Sequence, residues 1–163
     1  RLSPFCNLIV AIFLLLSFSS CSTSPDGKSV ENPIVQSLQE PDENSGLILY
    51  FFTPGWPTCR AELRTLDEII TEQLTETPVI GMSLNPLDTN ITLKNYRKKI
   101  NIGDQIQFMS SSRDLIEEYD VIIRATKLAI SSSGTVLDRA EYGSKLTRAE
   151  WLNWFELIEQ NTN

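Results

Sequence analysis

Leu47-Ile48-Leu49-Tyr50-Phe51-Phe52, then Thr53-Pro54-Gly55, then Trp56-Pro57-Thr58-Cys59-Arg60-Ala61-Glu62-Leu63, is the stretch that decides the fold. Six apolar and aromatic residues in a row are the pattern of a strand buried on both faces in the middle of a sheet. Thr53-Pro54-Gly55 ends that strand. Beyond Pro57, Leu63, Leu66, Ile69, Ile70 and Leu74 recur at helical spacing until Pro78 stops the helix. Strand, turn and helix form the first half of a βαβ unit.

The pattern continues toward the C-terminus. Residues 78–83 read as a second short strand, and Asp88 to Asn90 offer caps for a helix over about 91–100. Residues 106–109 read as a third strand. Ser111 with Asp114 gives a Ser-x-x-Asp capping pattern for a short helix ending near Tyr119. Residues 127–131 and 136–142 flank Ser131-Ser132-Ser133-Gly134 with the spacing of a β-hairpin. Thr147 and Glu150 form a capping box, and Trp151, Trp154, Phe155 and Ile158 make one apolar stripe on a final helix. Helical spacing alone explains that stripe, so it reads as core. The expected order is β-α-β-α-β-α-β-β-α: an α/β domain with a central mixed sheet flanked by helices, and no internal repeat.

Composition narrows the chemistry. In 163 residues, 41% hydrophobic and 21% charged is an ordinary globular balance, enough for one domain with an appendage. Fourteen Lys and Arg against 21 Asp and Glu leave a formal charge of −7, and no basic stripe stands out, which argues against nucleic acid as a partner. No histidine is present, so imidazole bases, Cys-His pairs and histidine metal ligands are excluded. The cysteines are Cys6, Cys21 and Cys59, and a zinc site needs about four N/S ligands. No metal and no cofactor is expected.

Residues 8–16 (LIVAIFLLL) are an unbroken apolar run after Arg1, followed by Ser17, Ser19, Ser20 and Cys21. A spanning helix needs about 20 apolar residues, so this is the layout of a secretory signal. Phe18-Ser19-Ser20-Cys21 resembles a bacterial lipobox, with Phe18 where leucine is usual. On that reading residues 1–21 are a lipoprotein signal and Cys21 carries lipid, tying the chain to a membrane on the periplasmic or cell-envelope face. A plain secretory signal or an ordinary anchor is the alternative. Residues 22–45, rich in Ser, Pro, Asp, Glu and Asn, read as a flexible tether, and residues 46–163 as the folded domain.

Over nearly all of that domain the sequence resembles the thioredoxin superfamily, in particular TlpA-like extracytoplasmic thioredoxins and their peroxiredoxin relatives. The apolar strand followed by Trp56-Pro57-Thr58-Cys59-Arg60-Ala61-Glu62-Leu63 is similar to the family's strand and W-C-P-x-C-R-A-E-L. Val79-Ile80-Gly81-Met82-Ser83, Tyr119-Asp120-Val121, Gly134-Thr135-Val136 and Gly143 support it. The resemblance implies a thioredoxin-like fold, a thiol redox activity and a thiol or disulfide protein partner. It also implies a substrate groove at Trp56, Pro57, Thr58, Ala125 and Thr126.

The departures bear on activity. The first cysteine of the family's C-x-x-C is replaced at Trp56 or deleted just after it, and Cys59 matches the second, resolving position. The family's cis-proline falls on Ala125, and cis bonds are essentially a proline feature. Arg124-Ala125-Thr126 resembles the segment by which peroxiredoxins bring an arginine to their peroxidatic cysteine, although that motif's proline and threonine would fall at Phe52 and Trp56. Three readings stand: a thiol redox protein of reduced or lost dithiol activity, a one-cysteine peroxidase using Cys59 and Arg124, and a non-catalytic binding module. Burial of Cys59 favours the last, and exposure beside Arg124 the second. Asp67, Glu68 and Glu72 read as a solvated helix face.

Overall fold

The computed structural model describes residues 45–73 and 75–162. The expected lipoprotein signal over residues 1–21 with its expected lipidation at Cys21, nearly all of the expected tether, and Leu74 lie outside the described residues.

The strands are β1 (Leu47–Phe52), β2 (Val79–Ser83), β3 (Ile106–Ser110), β4 (Thr126–Ile130) and β5 (Val136–Ala140). The helices are α1 (Pro57–Gln73), α2 (Asn90–Ile100), α3 (Arg113–Glu118) and α4 (Arg148–Gln160). They follow one another as the sequence predicts. The five strands form one sheet in the order β3-β2-β1-β4-β5. β1 pairs parallel with β2 and antiparallel with β4; β2 pairs parallel with β3, and β4 antiparallel with β5.

β1 is central, which is why all six of its residues are apolar and buried. Ile48, Tyr50 and Phe52 face a core built with α1, α2 and α4, where Leu63, Leu66, Ile69, Leu93, Trp151 and Phe155 meet them. Leu47, Leu49 and Phe51 face the other layer with Ile80, Met82, Leu128 and Ile130, against which Leu115 and Ile116 of α3 pack. Each such fully buried side chain is worth about 1.5–3 kcal/mol relative to exposure. Gly81 sits between Tyr50 and Phe108 in the pairing register, and a Cβ there would meet the Phe108 ring at 2.7 Å. The missing side chain lets that ring lie over β2 and pack on Phe52, centroid to centroid 4.9 Å.

The caps show where local chemistry decides. Thr89 and Thr92 close a capping box on α2, and Thr147 and Glu150 one on α4. The cap of α3 is a correction: Ser112, not Ser111, accepts from the Leu115 N–H. Ser111 instead donates to the Ser83 carbonyl at 2.5 Å, tying the end of β3 to β2. Nor are the α1 carboxylates a uniformly solvated face. Glu68 and Glu72 are exposed as expected, Glu72 in a surface pair with Arg148, whereas Asp67 is half-buried and accepts from the Gly103 N–H at 3.1 Å.

Candidate functional site

The C-terminal end of β1 runs straight into the site. Trp56 N–H donates to the Thr53 carbonyl at 3.3 Å, with Pro54 and a positive-φ Gly55 (φ 89°) between them. Proline then glycine in that setting matches the demands of a type II turn. Pro57 opens α1, where its fixed φ suits a helix start and its missing N–H costs nothing. Cys59 therefore lies in the first turn of α1. Its side chain points inward and is only 1% exposed, among Tyr50, Phe52 and Leu63 of the core.

Directly beneath Cys59 is a buried charged cluster. Glu62, one turn along α1, accepts from the Tyr50 hydroxyl at 2.6 Å and from Lys127 Nζ at 3.1 and 3.2 Å. Lys127, in β4 and wholly buried, also donates to the Ser144 carbonyl at 3.1 Å. The ammonium thus reaches three acceptor oxygens and the carboxylate receives from two side chains, which is what buried charges require. Burial, then the neighbouring Cys59 thiol and the Glu62 carboxyl, push the Tyr50 phenol far above the ordinary tyrosine range. Tyr96 of α2 is also pushed up, by burial first, with the Gly55 N–H pulling part of the way back.

Above the thiol the surface is different. Trp56 is 40% exposed, and the Arg124 guanidinium carbon lies 3.4 Å from the centre of its ring. Tyr142 flanks the same guanidinium at 5.6 Å. Two aromatic rings and one cation make a stack across the site. The Arg124 Nε is buried without a hydrogen-bond partner, so the guanidinium is held by rings rather than by a carboxylate.

Placement of the remaining groove residues divides them. Pro57 and Thr58 are exposed, whereas Ala125 and Thr126 are buried and present no side chain to a partner. Ala125 has φ 60°, in the left-handed region, and its N–H donates to the Phe51 carbonyl at 2.7 Å. Thr126 Oγ1 donates to the Ile123 carbonyl at 2.6 Å. Among the described residues no group of three or more His, Cys, Asp or Glu is placed to hold a metal ion, and no helix is long and apolar enough to cross a membrane. A cleft of about 690 Å³ lined by Gly46, Gln73, Phe155 and Ile158 lies at the opposite end of the sheet from Cys59.

Sequence reasoning singled out Cys59, Arg124 and Trp56 but missed Tyr50, Glu62 and Lys127. A signal was present. Glu62 is the one acid within the buried stripe of α1, and Lys127 the one base in a strand otherwise buried and uncharged. A lone charge of each sign in apolar settings is a reason to pair them.

A mixed sheet of this order, with a helix leaving the central strand and a cysteine in that helix's first turn, is the thioredoxin-like fold. No protein-family model matches the chain, and no curated protein does. Solved structures do. StoA from Bacillus subtilis is 18% identical, with 70% of this chain and 84% of that one covered at a TM-score of 0.58. The pneumococcal exposed lipoprotein thioredoxin Etrx1 from Streptococcus pneumoniae is also 18% identical, covering 70% and 85% at 0.58. A secreted Mycobacterium tuberculosis disulfide oxidoreductase homologous to Escherichia coli DsbE is 15% identical, covering 69% and 81% at 0.55.

Proposed function

We propose that this chain is an exported thioredoxin-fold protein that binds a protein or peptide partner at the Trp56–Arg124–Tyr142 surface and has lost dithiol exchange. The burial of Cys59 carries the reading. A thiol that attacks a disulfide or a peroxide must reach it as a thiolate, and this one sits in the core with Tyr50, Phe52 and Leu63. Cys59 is also the only cysteine among the described residues, so no neighbouring thiol is there to resolve a mixed disulfide. The peroxidase reading loses its second element as well, because Arg124 is engaged with Trp56 and Tyr142. What the surface offers is exposed aromatic area with a cation, the composition of a recognition patch. Export draws its support from the apolar N-terminal run and from neighbours described as secreted and as an exposed lipoprotein. Lipidation at Cys21 and a cell-envelope location complete the proposal.

Native iodoacetamide labelling between about pH 6 and 9 tests the thiol. Cys59 should stay unlabelled until denaturant is added, and the protein should not reduce insulin. Fast labelling with a midpoint below about 7.5, together with peroxide turnover lost in Cys59→Ser, would instead establish the peroxidase. Binding is read with extended peptides from exported proteins by fluorescence titration. Arg124→Gln and Trp56→Ala should weaken it, and equal affinity in both variants removes this surface from the proposal.

A further inference from the structure

The linear sequence hides a basic face that the fold assembles. From Arg60 to the C-terminus there are twelve Lys and Arg residues, and six of them (Arg60, Arg64, Lys94, Arg97, Lys98 and Lys99) lie on α1 and α2. The two helices pack on the same side of the sheet, and Arg64 Nε donates to the Ile100 carbonyl at 2.9 Å, which brings the two rows of cations together. The charges of Arg60 and Arg64 both act on Tyr96 of α2. Five of the six are exposed, and Arg97 pairs with Asp104. α2 contains no acidic residue, whereas α1 also carries Asp67, Glu68 and Glu72, with Glu68 one turn beyond Arg64.

Helix stability accounts for only part of this arrangement. Arg97, Lys98 and Lys99 in the last turn of α2 do complement the helix dipole. Arg60 stands in the first turn of α1, where a positive charge opposes the dipole, and no acid there offsets it. Arg60–Arg64 and Lys94–Lys98 are like-charge pairs at i, i+4, each costing the helix about 0.2–0.5 kcal/mol. Arg60 and the Lys94–Lys98 pair, which their own helices do not explain, point to an anionic partner in a chain of net charge −7.

Apolar exposure beside these cations, in the turn before α2 and in its first turn, narrows the partner. Leu87 is 82% exposed and Ile91 73%. Ile91, Lys94 and Lys98 fall at i, i+3 and i+7, on one outward stripe of α2. Protruding aliphatic side chains beside a row of lysines suit a folded surface that meets a lipid headgroup layer.

We infer that the α1–α2 face is a docking surface for an anionic phospholipid bilayer, with Lys94, Lys98, Lys99, Arg60 and Arg64 on headgroup phosphates and Leu87 and Ile91 at the acyl boundary. Neither lipidation nor the state of Cys59 enters, so the proposal stands or falls apart from the one above. The test is sedimentation of the full chain with phosphatidylglycerol/phosphatidylcholine vesicles and with pure phosphatidylcholine vesicles. The apolar N-terminal run contributes to both, so the readout is their ratio and its dependence on salt. Each cation near a charged surface contributes about fivefold, so Lys94→Gln/Lys98→Gln/Lys99→Gln should cut the ratio by about 100-fold. Leu87→Ser/Ile91→Ser should weaken binding to the anionic vesicles while leaving its salt dependence in place. Far-UV and thermal scans confirm that the variants fold. A ratio that the triple variant leaves unchanged overturns the inference. So does binding of poly-glutamate or an oligonucleotide at this face in a chain that shows no preference for anionic vesicles.

Discussion

Lys127→Met tests the buried cluster directly. The substitution keeps the length of the side chain and removes the ammonium, leaving the Glu62 carboxylate 3% exposed with the Tyr50 hydroxyl as its remaining donor and the Ser144 carbonyl without its side-chain donor. Breaking a buried pair from one side costs about 3–5 kcal/mol, because the surviving charge stays out of water. Domains of this size hold about 5–15 kcal/mol in total, so the loss is a large share of stability. With a urea slope of about 2 kcal/mol/M, the unfolding midpoint should fall by about 2 M at unchanged slope. Lys127→Met/Glu62→Leu/Tyr50→Phe removes charge, partner and orphaned hydroxyl together, and should recover most of the loss, since an apolar replacement of a buried pair is often neutral or better. The Lys127–Glu62 cycle should show a coupling of at least about 2 kcal/mol. A Lys127→Met cost below about 1 kcal/mol, or coupling below about 0.5 kcal/mol, would mean that the pair is not a closed, dry unit and would refute the reasoning.

Ala125→Pro should destabilise the domain by about 3 kcal/mol or more in the same urea assay, because proline fixes φ near −65° where Ala125 has 60° and removes the N–H bonded to Phe51. Gly81→Ala should cost about 1–3 kcal/mol by driving a methyl into the Phe108 ring. At alkaline pH the folded domain keeps the Tyr50 proton that the unfolded chain releases near pH 10. Stability contributed below that value should therefore drop by up to about 1.4 kcal/mol per pH unit above it, and Tyr50→Phe should flatten this limb of the pH–stability curve. Glu150 is held below the usual carboxylate range by the Thr147 N–H. Its contribution is present above about pH 4.5 and disappears as pH falls through the lowered value, so wild type and Glu150→Ala should melt apart at neutral pH and converge in acid.

The architecture was legible because its signals are local. β1 is apolar throughout, α1 and α4 carry helical stripes, and the Thr147–Glu150 box marks a helix start in four residues. Where two serines compete for one helix, sequence picks the wrong one: Ser111 loses the cap of α3 because its hydroxyl is needed by Ser83 across the strands. The site was legible only in part for the same reason. Cys59 and Trp56 are adjacent to the turn that places them, but Lys127 meets Glu62 across 65 residues and Arg124 meets Trp56 only after β4 returns beside β1. The cations of α1 and α2 are unremarkable in the linear sequence, and the two helices that carry them are tied together only when Arg64 reaches the end of α2.

The backbone at Ala125 has a consequence for anyone who would rebuild a dithiol enzyme on this scaffold. Exchanging side chains alone is not enough, because the loop before β4 holds an alanine in the left-handed region whose N–H is spent on β1. A proline introduced there first meets a conformation it cannot adopt, and a second cysteine introduced first faces a partner thiol sealed in the core. Both single steps are losses, so the two states are separated by a valley that point substitution does not cross. An engineer would have to exchange residues 122–126 together with the turn at Thr53 to Trp56 as one block.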